Sequence, residues 1–169
     1  MSRVDRPTTR RFVAAAQAAG CVVEFQSADD VGQIALAEGA VGSRNVLDRY
    51  PQLASEVAQP PDSPLVSFSE GVVTGLLGIA ETGSVLIVEN DLSDRLVSMM
   101  SENLTVLLAE NTIEDWLEAA TGWLSAAQPV PAYAVLLTGP SRTADIERSL
   151  TIGVQGPSTT RLIILGEQS

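Results

Sequence analysis

One glycine-rich segment of the sequence combines a carboxylate with two hydroxyls. It runs from Gly78 to Ser84, directly before an apolar stretch, and contains Glu81, Thr82 and Gly83. Glycines allow the backbone to approach a ligand closely, and a carboxylate between them can act as a base or as a nucleophile. Glu81 is therefore the candidate catalytic residue, with Thr82, Gly83 and Ser84 as candidate ligand contacts. The alternative is that Glu81 caps a local element, and both interpretations stay open.

A second segment, residues 139–147, follows another apolar stretch through a Gly-Pro pair and then presents hydroxyl, guanidinium and carboxylate groups in succession. Two hydroxyls, a guanidinium fork and backbone N–H groups together can bind an anion. The alternative is an N-capped turn in which the arginine pairs with a nearby acid. The candidate ligand-binding residues of this segment are Gly139, Ser141, Arg142, Thr143 and Asp145.

A third glycine-rich segment, residues 153–160, precedes the last predicted strand. Its candidate ligand contacts are Gln155 and Gly156. The alternative is that the segment is only a turn.

The composition excludes several kinds of catalytic and metal site. The sequence has no His, no Lys and one cysteine, Cys21. A Ser-His-Asp triad, a Schiff-base lysine and a P-loop lysine are therefore excluded for this chain. Zinc and iron–sulfur sites need several Cys or His ligands, so we expect no metal and no cofactor on this chain. We expect Cys21 to be a small core residue rather than a reactive thiol.

The charge balance argues against nucleic acid as a partner. The chain of 169 residues carries 10 basic and 21 acidic residues, a net charge of −11, and every cation is an arginine. Binding to phosphate backbones needs a basic patch. Between Glu81 and Glu118 the acids outnumber a single cation, Arg95. This acidic span is interpreted as a solvated face, and the alternative is a docking surface for a basic partner.

The sequence also gives expectations about the compartment. One cysteine cannot form a disulfide within the chain, and residues 1–11 are polar and basic without the apolar core of a signal peptide. The longest apolar run is too short to cross a bilayer. We therefore expect a cytoplasmic protein with no membrane span.

Apolar periodicity and capping residues predict the elements that must position these segments. With 45% hydrophobic and 18% charged residues, the chain is long enough for one core. Alternating helices and strands favour a single α/β domain over residues 9–169, after a tail of residues 1–8, with a largely parallel sheet covered by helices on both faces. Ligands in such sheets bind beyond the carboxyl ends of the strands. Helices are predicted at residues 8–20, 27–37, 49–57, 94–100 and 111–124, with one helical turn at 76–80 and either a short helix or an irregular turn at 143–150. Strands are predicted at residues 21–25, 46–47, 65–68, 71–74, 84–88, 104–108, 132–138 and 161–165.

The three polar segments together resemble a known family. Gly78–Ser84, Thr138–Glu147 and Gly153–Pro157 occur in the order and spacing of the lactate-utilisation protein C family, the LUD domain, and the resemblance spans residues 9–166. It implies a fold similar to the sugar-phosphate isomerase and CoA-transferase superfamily. It also implies a cytoplasmic role in the bacterial oxidation of L-lactate to pyruvate, beside partner proteins that carry iron–sulfur clusters.

The leading hypothesis is a cluster-free subunit or accessory protein of a lactate-oxidising system that binds a small anionic metabolite near Glu81, Ser141, Arg142 and Thr143. A second hypothesis is a stand-alone enzyme. Acyl or CoA transfer would use Glu81 as a nucleophile, and isomerisation of a phosphorylated sugar would use it as a base. A third is a non-catalytic assembly factor. The sequence leaves open whether the chain is an enzyme.

Overall fold

The central sheet is parallel and contains the most apolar runs of the sequence. The structure is a computed structural model and describes residues 6–60, 67–144, 150–152 and 156–166. Every strand pair of this sheet is parallel, and β6 and β11 are buried on both faces, as parallel strands usually are. Within the described residues its five strands are, in spatial order, β1 (Val22–Ser27), β11 (Thr159–Gly166), β6 (Ser101–Ala109), β3 (Phe68–Gly75) and β2 (Val41–Gly42).

A second, smaller sheet packs on one face of the central sheet. Its strand β5 is antiparallel to both β4 and β8, whereas β7 is parallel to β4. Val85 and Ile87 of β5 share an apolar cluster with Val73 and Val106 of the central sheet. In spatial order, and for the described part of the chain, the strands are β7 (Ile113–Glu114), β4 (Leu77–Ile79), β5 (Ser84–Val88) and β8 (Ala134–Leu137). A separate antiparallel pair is formed by β9 (Arg142–Ala144) and β10 (Leu150–Ile152).

Helices cover both faces of the central sheet. On the face shared with the second sheet, α1 (Pro7–Ala18) and α3 (Leu92–Met100) bury Phe12, Ala16 and Val97. The opposite face is covered by α2 (Arg44–Arg49) and by 3-10 helices at Ala28–Gln33 and Pro51–Leu53. The outer face of the second sheet is covered by α4 (Glu118–Ala126). The predicted α/β class, with a largely parallel sheet between helices, is confirmed.

The predicted helix at residues 27–37 is largely wrong. Ser27 does cap a helix, because its Oγ accepts a hydrogen bond from the Asp29 N–H (3.4 Å), but the 3-10 helix ends at Gln33. The buried carboxylate of Glu70 accepts the Ala37 N–H at 2.6 Å and the Thr105 hydroxyl at 2.7 Å. This long-range hydrogen bond holds the Ala37 backbone against β3, so the chain leaves the helical path.

Two further helix predictions fail because a neighbouring strand competes. The helical turn predicted at residues 76–80 is replaced by β4 (Leu77–Ile79), and the helix predicted from residue 111 starts only at Glu118. The intervening β7 pairs with β4, with Ile113 opposite Gly78. A Cβ at Gly78 would lie 3.1 Å from Ile113, so the glycine is what permits this close strand pairing.

Smaller differences concern the chain between β2 and β3, and β8. The strand predicted at residues 46–47 lies inside α2, and a 3-10 helix at Pro51–Leu53 replaces the helix predicted at 49–57. The strands predicted at 65–68 and 71–74 belong to one strand, β3, apart from residues that lie outside the described ones.

β8 alternates exposed and half-buried side chains, because it is an edge strand, where a fully buried strand was predicted. Both ends of the short helix or irregular turn predicted at 143–150 lie in strands, β9 and β10, and residues 145–149 lie outside the described residues.

Candidate functional site

A cleft of about 1030 Å³ opens between the two sheets. It lies at the amino ends of β3, β6 and β11, beside the last turn of α3 and along β8. The cleft therefore lies at the opposite end of the central strands from the position expected for a ligand in an open α/β sheet. Apolar side chains line much of it, and among the described polar residues that line it all but Glu102 carry a hydroxyl: Ser67, Ser69, Ser98, Ser101, Tyr133, Thr138, Ser141 and Ser158.

The second and third predicted segments meet in this cleft. Gly139, Ser141 and Gly156 all line it, and the Ser141 N–H donates to the Pro157 carbonyl at 2.9 Å. Gly139 and Gly156 both have positive φ angles, of 70° and 123°, which glycine adopts without strain. A Cβ at Gly139 would overlap the Ala19 carbonyl at the end of α1. These glycines hold the two turns together and close to α1.

The remaining predicted residues of these two segments are placed only in part. The backbone of Arg142 and Thr143 begins β9 directly after the cleft-lining Ser141. Asp145 and Gln155 lie outside the described residues.

The first segment touches the edge of the cleft through a chain of hydroxyls. Thr82 Oγ1 lies 2.7 Å from Ser84 Oγ, which lies 2.6 Å from Thr138 Oγ1 at the cleft edge. Ser84 is buried at the start of β5 and Thr82 is exposed. Gly83 has a φ of 68°, and a Cβ there would overlap the backbone of Ala16 in α1. The turn is therefore packed tightly against α1, with one hydroxyl chain leading to the cleft.

Glu81 lies in the turn between β4 and β5, beside the residue that precedes α4, and is not among the described cleft-lining residues. Its side chain is exposed, and Oε2 accepts a hydrogen bond from the Leu117 N–H at 3.2 Å. Its own N–H donates to the Asp115 carbonyl at 3.0 Å. The structure thus brings Gly139, Ser141 and Gly156 together and leaves Glu81 apart from them.

The cleft wall contains a carboxyl group that sequence reasoning missed, that of Glu89. Its side chain is 1% exposed, and the Ser98 hydroxyl donates to Oε2 at 2.7 Å. Within the described residues Oε1 has no hydrogen-bond partner. Burial raises the pKa of Glu89 from 4.5 to about 7, opposed by the Ser98 hydrogen bond. Ser98 and Tyr133 both line the cleft, so Glu89 lies directly behind its wall.

The groups around Glu89 come from α3 and from the chain before β8. The Arg95 guanidinium lies 5.8 Å from the centroid of the Tyr133 ring, and Nη2 donates to the Asn90 carbonyl at 3.4 Å. The Glu89 N–H donates to the Tyr133 carbonyl at 3.1 Å. Burial raises the pKa of the Tyr133 hydroxyl, and the charge of Glu89 raises it further. On its other side, Asp94 accepts the Arg44 N–H at 2.8 Å, and burial raises the Asp94 pKa.

The sequence contains only a weak signal for Glu89. It directly continues the apolar strand β5, and the next two residues are Asn90 and Asp91, so the position resembles the start of a solvated loop. An acid that extends a fully buried strand without a turn residue is the one local feature that could have indicated its burial.

Comparison with known proteins identifies the family. The sequence profile of the LUD domain matches residues 10–165. The chain belongs to the LUD domain family. The resemblance of the three polar segments to this family is thereby confirmed.

Curated relatives of this LUD domain are named lactate utilization protein C. Lactate utilization protein C 1 of Bacillus mycoides strain KBAB4 is 33% identical over 102 residues, which are 58% of this chain and 44% of that protein. Lactate utilization protein C of Anoxybacillus flavithermus is 29% identical over 98 residues, again 58% and 44%. The matched part of the chain therefore spans less than half the length of these relatives.

A solved structure has the same fold as this LUD domain. The crystal structure of a DUF162 family protein from Deinococcus radiodurans matches with a TM-score of 0.67 at 17% identity. The match covers 98% of this chain and 99% of that one.

Three further observations concern other parts of the LUD domain. A hollow of about 760 Å³ lies at the carboxyl ends of β3 and β5, lined in part by Asn45, Arg49, Thr74 and Trp123, and none of the predicted site residues that the structure describes lines it. Among the residues that the structure describes, no three His, Cys, Asp or Glu side chains are grouped to hold a metal ion. No helix in that part of the chain is both long and apolar enough to span a membrane.

Proposed function

We propose that this LUD domain is a component of a bacterial system that oxidises L-lactate to pyruvate, and that its hydroxyl-lined cleft binds a small carboxylate metabolite. The relatives named lactate utilization protein C support the pathway. The observation that supports the ligand is the meeting of Gly139, Ser141 and Gly156 in one cleft. These residues come from the two segments whose chemistry suits an anion.

The lining of the cleft suits a ligand that has both a carboxylate and a hydroxyl or keto oxygen. Serine and threonine hydroxyls donate and accept, so they can hold either oxygen. A 2-hydroxy acid such as L-lactate, or its keto product pyruvate, has this pair of groups. Arg142 and Thr143 follow Ser141 directly, and we place the predicted guanidinium contact to the carboxylate there.

The electron-transfer chemistry belongs to partner proteins in this proposal. With no His and one Cys, the chain has too few soft ligands for an iron–sulfur cluster of its own. Partners that carry such clusters would take the electrons, in the cytoplasm. We assign their docking to the exposed acids of the span between Glu81 and Glu118, since Glu89, Asp94 and Glu110 of that span are buried. Complex formation should then weaken steeply as salt is added, and an association that ignores ionic strength would contradict this assignment.

Calorimetric titration with L-lactate and pyruvate tests the ligand. Arg142→Ala should cost about 1.5–3 kcal/mol of binding, or about 10- to 100-fold in affinity, because charge-assisted hydrogen bonds are lost. Arg142→Lys restores the charge but not the two-pronged geometry, so it should recover only part of the affinity.

Arg49→Ala is the matched control, since Arg49 is exposed and lines the separate hollow. It should bind as the parent does. If Arg49→Ala weakens binding and Arg142→Ala does not, the ligand occupies that hollow and the cleft is not its site. A parent protein that binds neither acid would contradict the proposed ligand.

A further inference from the structure

The hydrogen bonding of Ser98 links the cleft to the buried carboxyl behind it. A hydroxyl has one hydrogen, and the Ser98 hydroxyl lies 2.7 Å from Glu89 Oε2 and 3.0 Å from the Arg95 carbonyl. While Glu89 is ionised, that hydrogen is directed to its carboxylate. Ser98 then presents to the cleft an oxygen without a free hydrogen, which is a poor contact for an anion.

A carboxylate ligand at Ser98 would also lie close to the charge of Glu89. Two consecutive hydrogen bonds of ordinary length separate the two carboxyl groups by about 5–6 Å. The low exposure of Glu89 reduces solvent screening between them. Both effects disfavour a bound anion while Glu89 is ionised.

Protonation of Glu89 removes both obstacles at once. A protonated Oε2 can donate a hydrogen bond to Ser98 Oγ, and the Ser98 hydrogen can then point to a ligand in the cleft, where a carboxylate competes with the neutral Arg95 carbonyl for it. The repulsion between the two carboxylates also disappears. No bond of the ligand is made or broken, and the proton comes from solvent.

We propose that the cleft binds a carboxylate together with one proton, which Glu89 takes up, and that Glu89 and Ser98 thereby set the charge state of ligand that the site accepts. This inference rests on the proposed function, because it assumes a carboxylate in the cleft.

Several other charged or titratable groups lie around Glu89, and the proton is taken from solvent rather than from them. From α3, Asp94 adds a negative charge and Arg95 a positive one. Tyr133, from the chain before β8, contacts Glu89 through its backbone, and Arg44 of α2 pairs with Asp91 (2.7 Å) on the same loop as Glu89. A pKa of Glu89 of about 7 places the uptake within the physiological pH range.

Titration with sodium pyruvate at about pH 6, 7 and 8, in two buffers with different heats of ionisation, tests the proposal. Pyruvate stays ionised across this range, so proton uptake reports on the protein. The affinity of the parent should fall about tenfold per pH unit above pH 7, with up to one proton taken up per pyruvate bound.

Glu89→Gln should bind pyruvate at pH 8 nearly as tightly as the parent does at pH 6, without proton uptake, because the amide is neutral and can donate to Ser98. The matched control is Glu102→Gln, which removes an exposed charge at the cleft. It should keep the pH dependence of the parent. The neutral amide lactamide should bind the parent without proton uptake.

Ser98→Ala distinguishes the loss of the Ser98 hydrogen-bond donor from the effect of the Glu89 charge. It should weaken pyruvate binding about tenfold at pH 6, and Glu89→Gln should not restore that loss in the double variant. A circular dichroism melt of each variant checks that it is folded.

Different results overturn the two proposals. If the parent and Glu89→Gln bind pyruvate with the same pH dependence and no proton uptake, the proton-linked inference fails and the carboxylate cleft stands. If neither protein binds pyruvate or L-lactate at any of these pH values, the proposed function fails and the inference fails with it. If Glu89→Gln binds pyruvate at pH 8 and the parent does not, both the proposed function and the proton-linked inference are supported.

Discussion

Glu81 in the β4–β5 turn and Glu89 behind the cleft wall differ in almost every physical respect. Glu81 lies in a glycine-rich motif, is exposed and accepts one backbone N–H. Glu89 lies in no motif, is 1% exposed and has one unpartnered oxygen within the described residues. The glycine-rich motif around Glu81 mainly allows the β4–β5 turn to pack against α1. Burial, in contrast, raises the pKa of Glu89. For these two glutamates, the surroundings of the carboxyl group in the fold indicate its chemistry better than the sequence motif around it does.

The largest expected effect concerns the turn as a scaffold. Gly83→Ala should destabilise the protein by about 4 kcal/mol, because the residue has a left-handed conformation and its Cβ would overlap α1. Gly39→Ala is the control: its φ is 76° but nothing lies within 4 Å, so about 1–2 kcal/mol is expected. Urea unfolding of both variants measures the difference. Equal losses would show that the contact with α1 adds nothing.

The second prediction uses the stability of the protein as a function of pH. The folded state retains the Glu89 proton up to about pH 7, whereas the unfolded chain releases it near pH 4.5. The stability contributed below pH 4.5 is therefore lost as the pH rises through 7. Between about pH 4 and pH 8 the parent should lose about 3 kcal/mol relative to Glu89→Gln. If the stabilities of the two proteins change in parallel across this range, the pKa of Glu89 is not raised by folding.

A third prediction asks whether the turn and the cleft are energetically connected. Ser84→Ala and Thr138→Val each remove one hydroxyl of the chain that joins them, and each should cost about 1 kcal/mol. The double variant should show a coupling of about 0.5 kcal/mol, because both changes break the same hydrogen bond. Strict additivity would mean that the 2.6 Å contact contributes no stability and that the two regions are independent.

The smallest effect is expected at Glu81. Glu81→Gln keeps an acceptor for the exposed Leu117 N–H, so unfolding free energy should change by less than about 0.5 kcal/mol. Pyruvate affinity should stay within about twofold of the parent value, in contrast to the result at Glu89. A folded Glu81→Gln protein that loses ligand binding or acyl transfer would instead restore Glu81 as the candidate catalytic residue.

The parts of the fold that sequence predicts well are those with a local signal. Strand β5 and the later parts of β6 and β11 are mostly apolar because both faces are buried there, and this pattern is visible without knowledge of any partner. The predictions fail where a distant residue decides the conformation. The Glu70 carboxylate determines the path of the chain at Ala37, and the pairing of β4 with β7 replaces the start of a predicted helix.

The candidate site shows the same contrast between local sequence signals and long-range contacts. Turn residues and hydroxyls that cluster in short segments could indicate Gly139, Ser141 and Gly156 as candidate contacts, which stays a prediction, whereas their position at the amino ends of the central strands could not be predicted. The Glu89–Ser98 pair depends on how α3 packs over the end of β5, and no spacing in the sequence indicates that the Ser98 hydroxyl lies 2.7 Å from a carboxyl nine residues earlier.

The pairing of β1 with β11 has a consequence for the order of folding during synthesis. Arg161 of β11 holds Glu24 of β1 through hydrogen bonds of 3.0 and 2.6 Å between residues 137 positions apart. A ribosome that adds about 5–20 residues per second leaves β1 without its neighbour for roughly 7 to 27 seconds. The edge of β6, which is the other neighbour of β11, waits for a shorter part of that interval, because β6 ends at Ala109 and β11 begins at Thr159. The central sheet is therefore completed only when β11, the last described strand, has been synthesised. Translation speed or a chaperone would then influence the yield of folded protein more than for a protein with mainly local contacts.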